Sequence, residues 1–241
     1  MITLALLAVL VVLPLRAVGA EHSDVPLDHV ELDLRDQASL QRGLGTYMNY
    51  CFSCHSLKYA RFERTANDLG IPTEIMLQNT AFGGQAIGEL MDNAMRPEHA
   101  NAWFGKVPPD LTLVARARSP EWIYTYLRSF YTDEARGWGV NNVVFPNVGM
   151  PNVLHKLQGD VVCTNNASTP EECHLAHVDG TGELSPEEFD AVIHDLTNFL
   201  YYIAEPVRLK RQSIGVYVLG FLAILLVFVT LLNREYWRRI H

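Results

Sequence analysis

Cysteine is scarce in this 241-residue chain. Of its four cysteines, only Cys51 and Cys54 form a Cys-x-x-Cys pair. A structural zinc site usually requires a second closely spaced pair of ligands. Cys163 and Cys173 are too far apart in the sequence to supply one. The scarcity of cysteine therefore argues against a zinc knuckle.

Basic residues are also scarce between residues 21 and 207. This segment contains 12 of the 19 Lys and Arg residues and 26 of the 27 Asp and Glu residues, a balance of −14. A negative field of this size argues against nucleic acid as a partner. It would steer a basic partner toward the chain, with solubility alone as the alternative explanation. No internal repeat or low-complexity segment is visible.

The N-terminal 20 residues are mostly apolar and end in small residues, from Ala17 to Ala20. This pattern is typical of a secretory signal peptide cleaved after Ala20, although the usual positively charged start is missing. A retained membrane anchor is the alternative. Both interpretations place the residues that follow outside the cytoplasm.

Residues 214–232 contain no charged side chain. As a helix they would span about 28 Å, close to the ~30 Å hydrocarbon core of a bilayer. We therefore predict one membrane-spanning helix, with a buried core helix as the alternative. The predicted organisation is a signal peptide at 1–20, an exported domain at 21–207, an anchor at 208–233 and a cytoplasmic tail at 234–241.

The stretch Cys51-x-x-Cys54-His55 is compatible with a redox dithiol, half of a zinc site or covalent attachment of haem. A thioredoxin-type dithiol would follow a strand. Apolar residues instead recur at helical spacing over residues 40–51, just before the motif. The sequence thus favours haem attachment, with His55 as an axial ligand of the iron.

The second axial ligand must come from elsewhere in the chain. Methionine is a known choice, and it raises the reduction potential. Met150 lies in an extended segment between Pro146 and Pro151, where a rigid loop can present a side chain. We predict Met150 as this ligand, with His155 and His99 as the main rivals.

Two further patterns bear on the fold. Ser185, Pro186 and Glu188 form a helix-start signature, and apolar residues at three-and-four spacing follow it as far as Ile203. Cys163 and Cys173 enclose a short polar loop, which in an exported protein predicts a disulfide bond. Such a crosslink would restrain the nearby segment that carries Met150.

Several stretches resemble one family. They are RGLGTYMNYCFSCHSLKYARF, VPPDLTLVARARSPEWIYTYL, FPNVGMP and LTNFLYYIAEPVRLKRQSIGVYVLG. In this order they resemble cytochrome c1, the membrane-anchored haem subunit of the ubiquinol-cytochrome c reductase complex. The combination is more specific than the attachment motif, which occurs in any c-type cytochrome. The stretch HANAWFGKVPPD departs from the family pattern.

The resemblance implies a mainly α, cytochrome c-type haem domain with long loop insertions, followed by one C-terminal transmembrane helix. It implies one covalently attached haem c, with His55 and Met150 as the axial ligands. The first helix of the domain would cross the last, and Gly43 and Gly45 would permit close approach near Phe199. The residues implied in cofactor binding are Cys51, Cys54, His55, Met150, Arg118 at a haem propionate, and Tyr124 and Pro109 beside the haem.

The function implied by the resemblance is electron transfer from a Rieske iron-sulfur protein through the haem to a cytochrome c. The subunit alone would relay electrons without acting as an enzyme, beside a cytochrome b subunit in a dimeric complex. The implied location is a bacterial inner membrane, with the haem domain in the periplasm. Two alternatives remain: a haem c subunit of another membrane complex, or a haem enzyme such as a peroxidase, which needs an open coordination position.

Overall fold

The computed structural model describes residues 25–80, 84–165, 167 and 169–238. The predicted signal peptide, residues 1–20, lies outside these residues. In chain order the helices are α1 (Gln37–Tyr50), α2 (Phe62–Asp68), α3 (Thr73–Thr80), α4 (Pro97–Phe104), α5 (Val114–Ala117), α6 (Pro120–Arg128), α7 (His155–Gln158), α8 (Pro186–Ala204) and α9 (Arg208–Trp237), with a 3-10 turn at Pro170–Glu172. The prediction of a mainly α fold is confirmed.

The strands are short and pair as antiparallel two-stranded ribbons. They are β1 (Leu57–Arg61) with β2 (Leu90–Met91), β3 (Phe130–Thr132) with β4 (Val140–Asn142), and β5 (Val161–Cys163) with β6 (Leu175–His177). In the β3–β4 ribbon Phe130 pairs with Asn142, and in the β5–β6 ribbon Cys163 pairs with Leu175. These ribbons lie within the long connections between helices.

Helix α1 begins where the Asp36 carboxylate accepts a hydrogen bond from the Ser39 amide at 3.0 Å. This cap satisfies one of the amides that the first turn leaves without an intrahelical partner. The apolar residues at helical spacing point into the core: Leu40, Leu44, Tyr47 and Met48 are all buried. The helix predicted before the Cys-x-x-Cys-His motif is therefore present.

Helix α8 begins at the predicted capping box. The Ser185 hydroxyl accepts from the Glu188 amide, the Glu188 carboxylate accepts from the Ser185 amide, and Pro186 occupies the first turn. Its apolar face, from Phe189 to Ile203, is buried. The helix ends before Pro206, since proline disfavours helical backbone at the residue that precedes it.

Helices α1 and α8 cross in contact at Gly43. A Cβ atom at this position would lie 2.1 Å from the Asp195 carbonyl oxygen and 2.7 Å from the Phe199 Cβ. Only glycine therefore allows this approach. The expectation for Gly45 is wrong: a Cβ there would meet nothing within 4 Å, because two residues rotate the side chain by roughly 200° around the helix axis.

An ion pair lies beside the crossing. Arg42 Nε donates to Asp195 Oδ2 at 2.6 Å, and Arg42 Nη2 donates to Asp195 Oδ1 at 3.2 Å. Asp195 is only 7% exposed, so its charge needs such a partner. The bidentate geometry fixes the rotation of α1 against α8.

A smaller apolar cluster joins the two later ribbons. It consists of Tyr131, Val143, Val161 and Cys173. Cys173 is bonded to Cys163 in a disulfide, with their Cα atoms 5.4 Å apart. The crosslinked β5–β6 ribbon therefore packs against the β3–β4 ribbon and against the start of the segment that leads to Met150.

Helix α9 is 30 residues long and, among the described residues, is the one helix long and apolar enough to cross a membrane. It covers the predicted anchor. At its start, Arg211 Nε donates to Glu205 Oε1 at 2.5 Å, across the short interruption between α8 and α9 that contains Pro206. The side chains of residues 216–232 are not packed against the rest of the chain.

We predict that Gly43→Ala destabilises the domain, because the new methyl group would overlap the Asp195 backbone. Overpacking of this kind costs about 1–3 kcal/mol. Gly45→Ala is the matched control, since alanine in an unobstructed helix position is favoured over glycine by about 0.5–1 kcal/mol. Thermal unfolding of the full-length chain in detergent would measure both. Equal unfolding temperatures for the two variants would show that the close approach of α1 and α8 does not require glycine at position 43.

Candidate functional site

A cavity of about 540 Å³ lies where the two crossed helices meet the later loops. Its walls are the C-terminal end of α1, residues 106–111, helices α5 and α6, and residues 145–153, and its floor includes Leu196 and Leu200 of α8. The size is within the range of cofactor sites, and most of the lining side chains are apolar.

The Cys-x-x-Cys-His motif forms a tight turn at the end of α1. The amides of Cys54 and His55 both donate to the Cys51 carbonyl, at 3.1 and 2.8 Å. The Tyr47 hydroxyl donates to the His55 carbonyl from inside the core. This turn brings Cys51, Cys54 and His55 to the cavity wall, and neither of the two cysteines takes part in a disulfide. Burial raises the pKa of Cys51 to about 12.

The His55 imidazole has a defined orientation. Its Nδ1 lies 2.7 Å from the Pro109 carbonyl oxygen, which can only accept, so Nδ1 carries the proton and Nε2 has a free lone pair. Burial lowers the pKa of His55, although the Pro109 hydrogen bond opposes this shift. A neutral ring held through Nδ1–H is the form in which histidine binds a metal.

The predicted Pro-Pro-Asp-Leu run lies alongside the chain that follows His55. The Leu111 amide donates to the Ser56 carbonyl at 3.0 Å, and Asp110 Oδ2 accepts from the Lys58 amide at 2.7 Å. Pro109 therefore lines the cavity and also fixes the histidine ring through its carbonyl oxygen.

Met150 lines the cavity from the loop after β4, residues 143–150, which we call the distal loop. Of the methionines and histidines within the described ranges, only Met150 and His55 border this space. The rival histidines lie elsewhere: His155 Nε2 is 2.8 Å from Asp160 Oδ1, and His99 packs on Trp103 with ring centroids 5.7 Å apart. Of these three candidates, only Met150 borders the cavity.

Arg118 also borders the cavity, directly after α5. Its guanidinium carbon lies 5.5 Å from the centroid of the Trp122 ring, within the range of a cation–π contact. The planar guanidinium could donate two parallel hydrogen bonds to a carboxylate at the cavity wall. This position is compatible with the predicted contact to a haem propionate.

The structure does not bring Tyr124 to the cavity. Its ring lies on the other face of α6, 4.5 Å from the Arg128 guanidinium carbon. Trp122 and Tyr126 face the cavity instead, with their rings stacked 4.8 Å apart. Residues four apart share a helix face, whereas Tyr124 is rotated by roughly 200° from both. Helical spacing from Trp122 would have identified Tyr126.

Tyr126 makes a polar contact to the Met150 sulfur. Its hydroxyl lies 3.4 Å from Met150 Sδ. A thioether has no proton, so the tyrosine must donate. Sequence reasoning missed this residue, because the contact depends on how the distal loop folds back onto α6.

The chemistry of the lining residues fits haem c. The cavity combines two cysteine side chains outside any disulfide, a neutral imidazole, a thioether and a guanidinium within an apolar enclosure. Thiols can bond covalently to the haem, while imidazole and thioether are established axial ligands of its iron. The structure thus groups six of the seven predicted cofactor residues, and Tyr124 is the exception.

Comparison with known proteins agrees with this donor set. The sequence model of the Cytochrome C1 family matches residues 30–240. The chain belongs to the cytochrome c1 family. This membership supports an electron-transfer role in a bc1-type respiratory complex and implies a covalently bound haem c.

Two relatives match along nearly their whole length. Cytochrome c1 of Allochromatium vinosum is 49% identical over 232 residues, which cover 92% of this chain and 91% of the relative. The ammonia monooxygenase gamma subunit of Nitrosomonas europaea is 41% identical over 218 residues, 90% of each chain. A structural match to a solved chain of a hyperthermophilic respiratory Complex III covers 100% of this chain and 97% of the solved chain. Its TM-score is 0.42 and its sequence identity is 14%.

We predict that replacing both disulfide cysteines, Cys163→Ala with Cys173→Ala, loosens the distal loop. Loss of a crosslink that closes a short loop costs about 3 kcal/mol in the chain-entropy account. Limited proteolysis should cut the distal loop faster, and the midpoint potential of bound haem should fall. Val162→Ala, an exposed position in β5, is the control. If proteolysis and potential both match the control, the crosslink does not restrain this loop.

Proposed function

We propose that this chain is the electron-transfer subunit of a quinol-cytochrome c reductase complex. It accepts electrons from a Rieske iron-sulfur protein and passes them through one covalently bound haem c to a cytochrome c. The proposal rests on the placement of four side chains around one cavity. Its walls include Cys51, Cys54 and His55 on one side and Met150 on another. The subunit itself makes and breaks no bond of a substrate.

Five of the residues that line the cavity would hold the haem. Cys51 and Cys54 would attach the haem through thioethers, and His55 Nε2 and Met150 Sδ would bind its iron. When bound, the haem supplies a metal that gains or loses one electron. Arg118 pairs with a propionate and so orients the group within the cavity.

The apolar walls keep water away from this site and disfavour its more highly charged, oxidised state. Leu196 and Leu200 form part of the floor, and Ile123 and Leu127 line the α6 side. A thioether ligand acts in the same direction, so both effects raise the reduction potential. The chain would then hold its electron at a positive potential, suited to a cytochrome c acceptor.

The proposed location follows from helix α9 and the N-terminal segment. Residues 1–20 act as a signal peptide, and residues 21–207 lie in the periplasm of a bacterial cell. Residues 208–233 cross the inner membrane and leave 234–241 in the cytoplasm. The span packs against a cytochrome b subunit, and the complex is dimeric.

The relative from Nitrosomonas suggests a second candidate, because its name assigns it to a monooxygenase. An oxygenase or peroxidase needs an open coordination position, which Met150 would close. Purification separates the two: Rieske and cytochrome b proteins should accompany the chain in a reductase complex. Recovery with oxygenase subunits in their place would favour the second candidate.

We predict that Met150→Leu retains covalent haem but lowers its midpoint potential and permits carbon monoxide to bind. Leucine fills a similar volume but supplies no sulfur ligand. Redox titration and ligand-difference spectra of membranes would measure both changes. Met95→Leu, away from the cavity, should behave like the unmodified chain. An unchanged spectrum and potential in Met150→Leu would remove Met150 from the ligand set.

We also predict that electron transfer to a basic cytochrome c slows as ionic strength rises. Residues 21–207 have a balance of −14 from 12 basic and 26 acidic side chains, and salt screens attraction over roughly 10 Å at 0.1 M. Stopped-flow kinetics across a salt series measures this effect, with an uncharged oxidant as the control. Rates to the basic cytochrome that stay constant across the series would dismiss electrostatic steering.

A further inference from the structure

Tyr126 contacts the distal loop near both of its ends. Its backbone carbonyl accepts a hydrogen bond from Asn142 Nδ2 at 2.8 Å, immediately before the loop begins. Its side-chain hydroxyl donates to Met150 Sδ, the last residue of the loop, at 3.4 Å. One residue of α6 therefore forms hydrogen bonds at the start of the loop and at the Met150 sulfur.

We propose that Tyr126 is the positioning residue for the Met150 sulfur and that its hydrogen bond raises the reduction potential of this site. This inference rests on the proposed role of Met150 as an axial ligand. It assigns the tyrosine a task that neither the attachment motif nor the distal methionine can perform. The distal loop is anchored, the Tyr126 ring is fixed, and toward a thioether the Tyr126 hydroxyl can only donate.

The start of the distal loop is anchored by Asn142. This residue is 0% exposed, and its Oδ1 accepts from the amides of Val144 and Phe145 at 2.9 and 3.0 Å. Its Nδ2 makes the bond to the Tyr126 carbonyl. Both ends of the buried amide are thus satisfied, and the loop leaves β4 in a fixed direction relative to α6.

The middle of the loop is held in the same way. Asn141 Oδ1 accepts from the Asn147 amide at 2.9 Å, and Asn147 has a left-handed backbone with φ of 59°. Asparagine is among the few residues that adopt this conformation readily. The turn at Asn147 directs the chain back toward the cavity, where Met150 lies.

The Tyr126 ring has little freedom to move. It stacks on Trp122 with an interplanar angle of 9°, and it meets Phe130 edge-on with ring centroids 5.2 Å apart. The tyrosine hydroxyl is consequently presented from a rigid support. A donor placed in this way orients one lone pair of the sulfur and leaves the other for a metal.

The sign of the effect follows from electrostatics. The positive end of the O–H dipole points at the sulfur, so it opposes the additional positive charge of the oxidised state. Removal of the hydroxyl should therefore lower the potential. It should also make the sulfur easier to displace, because one of the contacts that hold it in place is lost.

The test compares Tyr126→Phe with Tyr124→Phe in the full-length, haem-loaded protein. Both changes remove one hydroxyl and keep the ring, but Tyr124 faces away from the cavity. We expect a lower midpoint potential and faster carbon monoxide binding in Tyr126→Phe, with Tyr124→Phe unchanged. A potential equal to or above that of the unmodified protein in Tyr126→Phe would overturn the inference.

A double variant establishes whether the tyrosine acts through the sulfur. In the Met150→Leu background, Tyr126→Phe should cause no further fall in potential, because the acceptor of its bond is gone. A fall of equal size in both backgrounds would show a merely structural role. If Met150→Leu alone shifts the potential and Tyr126→Phe does not, only this inference fails. If Met150→Leu has no effect, the proposed ligand set fails and the inference falls with it.

If Tyr126→Phe does not retain haem, a substitution that strengthens the hydrogen bond provides a second test. A ring-fluorinated tyrosine at position 126 keeps the shape and the hydroxyl but makes it a stronger donor. The midpoint potential should then rise. A fall or no change would overturn the inference.

Discussion

The contact between α1 and α8 at Gly43 is the constraint on which the site depends. Helix α1 delivers Cys51 at its C-terminal end, and α8 supplies Leu196 and Leu200 to the floor of the cavity. The two elements approach this closely because position 43 has no side chain to meet the Asp195 backbone. The depth of the cavity below the attachment motif thus follows from one missing Cβ atom and from the ion pair beside it.

The two sides of the cavity are held by different means. On the proximal side, His55 is covalently adjacent to Cys54, and hydrogen bonds to Cys51 and Pro109 complete its placement. The distal side has no such local support, since Met150 lies on a loop. Its position depends on side chains that reach across from β4 and α6. The distal ligand is therefore the part of the site whose geometry is most sensitive to substitutions elsewhere.

The elements that depend on near neighbours could be predicted from the sequence. Helix α1, the capping box of α8 and the apolar helix α9 are examples, because period and caps involve residues within about one turn. Predictions that depend on which face of a helix packs against the rest of the domain were less successful. Gly43 makes the close contact where Gly45 does not, and Tyr126 lines the cavity where Tyr124 does not. The hydrogen bond from Asn142 Nδ2 to the Tyr126 carbonyl joins residues that are 16 positions apart, and no spacing rule indicates it.

We propose that the haem iron is held by one histidine and one methionine. Near-infrared magnetic circular dichroism of the oxidised, detergent-purified protein would test this ligand pair, because the spectrum distinguishes pairs of axial ligands. We expect the signature of histidine–methionine ligation. A bis-histidine signature, or that of a five-coordinate iron, would contradict it.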